Sequence, residues 1–243
     1  MKILITGASS GLGEELARKY ASSENSLILL ARREDRLKSL QKELESLCKS
    51  VKILVADVTE FEVLQTKIAS IGSVDMVILN AGVSVGHSKE VIAFSDFKKI
   101  YDVNVLANHA ILEILLPKFE EQKSGKIVFI SSLASLISLP SSQAYSSSKS
   151  AISAYAEALR YKYSSTNIKV INILPGFIKS EMTDKNKFKM PFLLETKDGV
   201  SRIVHAIQTN KRVYAFPLRF YLIIRALNVL PKFIREKTIS LLK

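Results

Sequence analysis

The chain has 243 residues, 47% hydrophobic and 24% charged, which suits one large globular domain and excludes an intrinsically disordered protein. Its single cysteine, Cys48, excludes an internal disulfide or a cysteine-based metal site and points to a reducing cytoplasm. Of the net charge of +12, more than half sits at one end: residues 211–243 hold eight basic side chains against one acidic, which removes support for nucleic-acid binding by the main body.

The opening MKILITGAS leaves no room for a signal peptide, and no apolar run reaches the roughly 18 residues of a spanning helix. KILIT (2–6) reads as a first strand and GEELARKYASS (13–23) as a helix. SLILLA (26–31) is a second strand. EDRLKSLQKELESLC (34–48) is a helix with Leu37, Leu40, Leu44 and Leu47 on one face and Cys48 at its end. VKILVAD, VDMVILN, KIVFISS and IKVINILPG supply strands three to six, and RVYAF (212–216) a seventh. Strands apolar throughout, separated by helices, predict an α/β fold: a doubly wound parallel sheet in one domain, 1–243, with a C-terminal helical extension.

The turn after the first strand reads Thr6-Gly7-Ala8-Ser9-Ser10-Gly11-Leu12-Gly13. Its glycines allow backbone to approach a pyrophosphate, and the helix that follows offers free N–H groups. The second strand ends at Ala31, followed by Arg32 and Arg33. An acidic residue near this point would select the ribose hydroxyl of NAD, whereas arginine accommodates the 2′-phosphate of NADP. NADP(H) is therefore the expected cofactor, with Arg32 as the main phosphate contact and NAD(H) as the alternative. Glu34 and Asp35 fall later, at the start of the next helix.

The spacing T-G-x-x-x-G-x-G resembles the short-chain dehydrogenase/reductase family of Rossmann-fold, NAD(P)-dependent oxidoreductases. The resemblance runs over about residues 1–182 and implies further cofactor contacts. Asp57 and Val58 match the adenine side. Asn80-Ala81-Gly82 matches the family's NAG signature, with Leu79 a departure beside it. Pro175-Gly176 matches the family's PG. Ile178 would approach the nicotinamide through its backbone, and Ser180 stands where the family has Thr.

Tyr145 and Lys149 stand four apart at a helix start and so share a face. An ammonium beside a phenol stabilises phenolate, which would let Lys149 tune Tyr145 for acid/base work. By resemblance Ser132, thirteen residues before Tyr145, is the catalytic serine. Asn104, in YDVNVLANHAI, is the active-site asparagine on the long helix before the fifth strand. Ala107 replaces the family's glycine in NVxG. The implied reaction is hydride transfer between nicotinamide and a carbonyl or alcohol. Tyr145 is the general acid/base, Ser132 the donor to substrate oxygen, Lys149 the tuning and ribose-binding residue, and Asn104 the support for a proton path. Tyr145 and Lys149 thus also count among the cofactor contacts. A nucleotide-binding sensor or scaffold without turnover is the competing reading.

His87, His109 and His205 show no metal spacing, and no metal is expected. Residues 181–196 lie where the family's substrate lid sits, with Phe188, Met190, Phe192 and Leu193 either lining an apolar pocket or packing. The tail 217–243 joins basic and apolar residues. It reads either as a helix on an anionic membrane surface or as a hairpin packed on the domain, with Asn228 and Pro231 dividing two helices. The tail inclines the reading to lipophilic substrates. The resemblance also implies a homodimer or homotetramer, joined through the helices holding Asn104 and Tyr145. The expected location is the cytoplasm, with membrane contact through the tail as an option.

Overall fold

The first strand, β1 (Lys2–Thr6), lies third from one edge of a seven-stranded parallel sheet. Its neighbours are β2 (Ser26–Ala31) on one side and β4 (Met76–Leu79) on the other. The full order is β3-β2-β1-β4-β5-β6-β7, with β3 at Ser50–Val55, β5 at Gly125–Ile130, β6 at Ile168–Pro175 and β7 at Val213–Phe216. The computed structural model describes residues 1–85, 91–186 and 189–240. His87 and Phe188 lie outside the described residues, as does the last basic residue of the tail, Lys243.

The sheet is covered on both faces, as its unbroken apolar strands require. On one face α3 (Phe61–Ser70), α5 (Ala107–Gln122) and α6 (Gln143–Lys162) bury Leu64, Ile111, Leu115 and Ile152 against Leu4, Val77 and Phe129. On the other, α1 (Gly11–Tyr20), α2 (Glu34–Leu44) and α7 (Thr196–Gln208) bury Leu16, Leu37 and Ile203 against Ile3, Ile5 and Ile173. Successive β1 residues thus feed opposite cores, as a period of two dictates.

Three local features differ from the sequence reading. Helix α2 stops at Leu44, so Cys48 lies in the turn beyond it, half-buried, where burial pushes its thiol up. A raised thiol is the unreactive kind. Asn104 is not on the long helix itself. It sits in a π-helical turn, Asp102–Leu106, between α4 (Phe94–Tyr101) and α5, where the Ala107 N–H donates to the carbonyl of Asp102, five residues back. In the tail, α8 (Leu218–Val229) and α9 (Lys232–Ser240) part at Leu230–Pro231, and Asn228 is inside α8, donating to the Leu136 carbonyl at 2.7 Å. The inner face of α8 packs on the domain through buried Ile224, which meets Leu133 and Leu174.

Candidate active site

In an open parallel sheet the chain leaves adjacent strands in opposite directions at the point where strand order reverses, and a crevice opens there. Here that point lies between β1 and β4. The crevice widens into a cavity of about 460 Å³ that runs from the β2 end, past β1 and β4, to the ends of β5 and β6.

Its floor is fixed by backbone bonded to side chain. The Thr6 hydroxyl oxygen accepts from the N–H groups of Asn80 (3.0 Å) and Ala81 (2.9 Å). The Asn80 amide donates back to the carbonyls of Thr6 (3.0 Å) and Gly7 (3.4 Å). Gly7 takes φ +67°, a left-handed conformation open to glycine at little cost. A Cβ on Gly13 would overlap the Gly7 carbonyl, so this residue lets α1 close onto its own loop. Gly13 accordingly does not line the cavity, in contrast to Gly7, Ser9, Ser10, Gly11 and Leu12. Its function is packing.

At the β2 end, the two arginines are held differently. Arg32 is largely exposed and, among the described residues, reaches only Asp57, at 3.4 Å. Arg33 donates to the Ser9 hydroxyl (3.2 Å) and the Ser9 carbonyl (3.3 Å), and pairs with Glu181 at 2.9 Å. Burial pushes the Asp57 carboxyl up, but hydrogen bonds from Thr59 and the charge of Arg32 outweigh it and hold the group below its ordinary value. Asp57, Val58, Asn80, Ala81 and Gly82 all line the cavity, as do Pro175, Gly176, Ile178 and Ser180.

The deep end gathers the reactive side chains. Tyr145 and Lys149 stand on α6, and Ser132 lies two residues past β5. Ser132 accepts from the Ala134 N–H at 3.0 Å and turns its hydroxyl toward the Pro175 carbonyl at 3.5 Å, and it stands beside Tyr145 in the cavity wall. Lys149 is only 5% exposed, and its ammonium donates to the Ile130 carbonyl at 2.9 Å. Burial lowers it to about 8. It lies 5.7 Å from the centre of the Tyr145 ring. Burial also pushes the Tyr145 phenol above its ordinary value, and Ser132 beside it offsets only part of this. The expectation that Lys149 holds the phenol down is therefore not met in this arrangement. A half-buried phenol gains more from staying neutral than it gains from an ammonium turned toward a backbone carbonyl.

Asn104 is fully buried beneath the cavity and does not line it. Its side chain accepts from Val83 N–H (2.8 Å) and donates to the Val83 carbonyl (3.1 Å) and the Ser148 hydroxyl (3.0 Å). A Cβ on Gly82 would sit 3.4 Å from Asn104 Oδ1 and 3.5 Å from Lys149 Nζ, so Gly82 lies between them. Ser132, Tyr145 and Lys149 are thus brought to one end of one cleft, with Asn104 buried beneath it. His109 instead bonds the Tyr155 hydroxyl at 2.9 Å, away from the cavity.

Several lining residues escaped the sequence reading. Val83 and Ser84 follow the NAG signature directly. Thr183 caps the Ile178–Ser180 turn, donating to the Ile178 carbonyl at 3.0 Å while accepting from the Ser180 N–H at 2.8 Å. Glu181 and Met182 complete that wall. They open the segment 181–196 that the resemblance marks as a lid, but nothing in the sequence singles out any of the three for the cleft.

The family model described as short chain dehydrogenase matches residues 1–190. The chain belongs to this family. It is an oxidoreductase of the short-chain dehydrogenase kind, whose fold binds NAD(P). An uncharacterized oxidoreductase of Myxococcus xanthus (strain DK1622) is 36% identical over 232 residues, covering 94% of this chain and 92% of the relative. An 11-beta-hydroxysteroid dehydrogenase-like 2 protein of Arabidopsis thaliana is 36% identical over 219 residues, covering 84% of this chain and 68% of the relative. A short-chain dehydrogenase from Sphingobium yanoikuyae, solved in complex with NADPH, matches with a TM-score of 0.83 at 22% identity, covering 95% of this chain and 96% of that one. The last likeness is one of fold.

The cleft of this short-chain dehydrogenase suits a dinucleotide by its own geometry. Three glycines, Gly7, Gly11 and Gly82, line it where backbone can approach a ligand, and Arg32 presents an exposed guanidinium at its β2 end. Among the described residues, no helix is long and apolar enough to cross a membrane.

Proposed function

We propose that the chain is an NADP-dependent carbonyl reductase for lipophilic ketones or aldehydes, with Tyr145 as the proton donor. The observation that carries the proposal is the meeting of Ser132, Tyr145 and buried Lys149 at the deep end of the cleft, with the Lys149 ammonium 5.7 Å from the centre of the Tyr145 ring. The bound nicotinamide would supply the hydride, and the chain's residues do the rest. Ser132 donates a hydrogen bond to the substrate oxygen and orients it. As the carbonyl carbon gains hydride, its oxygen takes the proton of Tyr145. A phenol pushed upward by burial is protonated at neutral pH, which suits this direction. Lys149, held by the Ile130 carbonyl, supplies positive charge beside the developing phenolate. Lys149 returns a proton to Tyr145, and buried Asn104 supports the water-linked path that recharges Lys149.

The lipophilic preference is supported by an aromatic cluster at the cleft edge. Phe220 of α8 stacks on Phe177 (centroids 5.9 Å apart) and lies 6.0 Å from Phe192, within the proposed lid 181–196. Gly176, at the cavity wall, would place a Cβ 3.3 Å from the Phe220 ring. The relatives include one named for a hydroxysteroid dehydrogenase. The NADP preference is supported by Arg32 and by the NADPH-bound structural neighbour.

The assay is NADPH oxidation against a panel of ketones graded in size, with Arg32→Ala alongside. Turnover that rises with apolar bulk, and an Arg32→Ala loss confined to NADPH, are expected. Turnover with NADH alone, or with small polar ketones alone, would overturn the reading.

Two surface contacts belong to the same proposal. The outer face of α8 carries Leu222 (54% exposed) and Val229 (82%), with Phe233 (72%) on α9 and Arg219, Arg225 and Lys232 around them. This face docks on an anionic lipid surface of the cytoplasm. Leu222→Gln is expected to lower cosedimentation with vesicles of anionic lipid. The outer faces of α5 and α6, bearing exposed Tyr161, join two copies of the chain, which light scattering on the purified protein tests.

A further inference from the structure

Glu181 reaches across 148 positions of sequence to Arg33, with Nη1 at 2.9 Å from one carboxylate oxygen and 3.3 Å from the other. Arg36 of α2 joins it at 3.4 Å. Arg33 also donates from Nε to the Ser9 hydroxyl and from Nη2 to the Ser9 carbonyl, so each of its three nitrogens is engaged. A second anion that takes the Nη1 edge of Arg33 competes there with Glu181. Among the described residues, Arg32, next to it, meets only Asp57, at 3.4 Å.

We propose that Glu181 is a specificity-determining residue: its carboxylate holds Arg33, the second arginine of the site where Arg32 makes the main contact with the 2′-phosphate, and binding exchanges one anion for the other on Arg33. This rests on the NADP reading above. A phosphate monoester carries close to two negative charges near neutral pH and three acceptor oxygens, so it outcompetes a single carboxylate. A dinucleotide without that phosphate leaves the Arg33–Glu181 pair intact and gains nothing from its removal. Glu181 therefore weakens NADPH binding and leaves NADH binding as it is. Removing it widens the preference for NADPH.

The test is equilibrium binding of NADPH and NADH, read by fluorescence at physiological salt, on the full chain and on Glu181→Gln, Glu181→Ala and Glu34→Gln. Glu181 is half-exposed, and thermal melts confirm that the variants fold. Glu34→Gln removes the same charge from the start of α2, where Glu34 pairs with Lys38 at 2.8 Å, so it controls for general charge. The expected result is NADPH binding about threefold to fivefold tighter in both Glu181 variants, as an exposed ion pair allows, with NADH changed by less than about twofold. Equal tightening of both nucleotides, no tightening at all, or an equal gain in Glu34→Gln would overturn the proposal. A wild-type chain that binds NADH as tightly as NADPH would overturn the cofactor reading itself, and this proposal with it.

Discussion

The two ends of the cleft are built by different means. At the β1–β4 crossover, the Thr6 hydroxyl, the Asn80 amide and the closeness of Gly13 to Gly7 tie backbone to backbone. At the β6–α8 end, the wall is made of side chains laid against each other: Phe177, Phe192 and Phe220, with α8 seated by Ile224. A backbone lattice tolerates few substitutions, whereas an aromatic wall can be rebuilt one residue at a time. The nucleotide end should therefore fail as a fold when altered, and the substrate end should change its preferences and stay folded.

Four measurements sharpen or break that contrast. Tyr145→Phe sits between the two ends and is expected to lower kcat about 10²–10⁴-fold with NADPH affinity unchanged, because only the transferred proton is lost. Full turnover by the phenylalanine variant would remove Tyr145 from the chemistry. Gly13→Ala forces the Gly7 carbonyl away and is expected to cost about 3 kcal/mol of stability, read by denaturant melts. A variant that melts like the parent would show that the rigid end is not rigid.

The third measurement is kcat/KM for reduction against pH. Lys149 is lowered to about 8, so it is charged below that value and neutral above it. The rate should hold below pH 8 and fall about tenfold per unit above it as the ammonium is lost. A profile flat to pH 10 would detach Lys149 from the reaction. The smallest effect belongs to Phe220→Ala: KM for a bulky ketone should rise roughly fivefold, with melting and NADPH affinity little changed, since an aromatic contact is worth about 1 kcal/mol. A loss of folding there would contradict the idea of a replaceable wall.

The sequence made the nucleotide end legible because its constraints are local. Glycines at fixed spacing, an arginine at a strand tip and apolar runs bounded by turns each act within a few residues, and the sheet order follows from them. The Tyr145–Lys149 pair was legible for the same reason, being one turn of one helix. What escaped was set by distance or by competition. Glu181 and Arg33 meet only because β6 and β2 both end at the same crevice, which no local pattern encodes. The state of Tyr145 depended on burial against charge, and spacing gives the charge but not the burial. The early end of α2 came from ESLC losing to the turn into β3, although its leucines continue the helical stripe as far as Leu47. The inner face of α8 was hidden because a run such as FYLII is apolar on every side and names no particular face.

The π-helical turn at 102–106 is in effect an angular adjustment built into a screw. Each residue of an α-helix advances the chain by about 100° around its axis, so one surplus residue in a turn offsets everything after it by that angle. The stretch before the turn and the stretch after it can then each bury its own apolar side chains, Ile100 from the first and Ile111, Leu115 and Phe119, packed on the sheet, from the second. Deleting a single residue here would leave a smoother helix with a regular bond pattern. It would also bring the two stretches out of phase and swing Asn104 away from Val83 and Ser148.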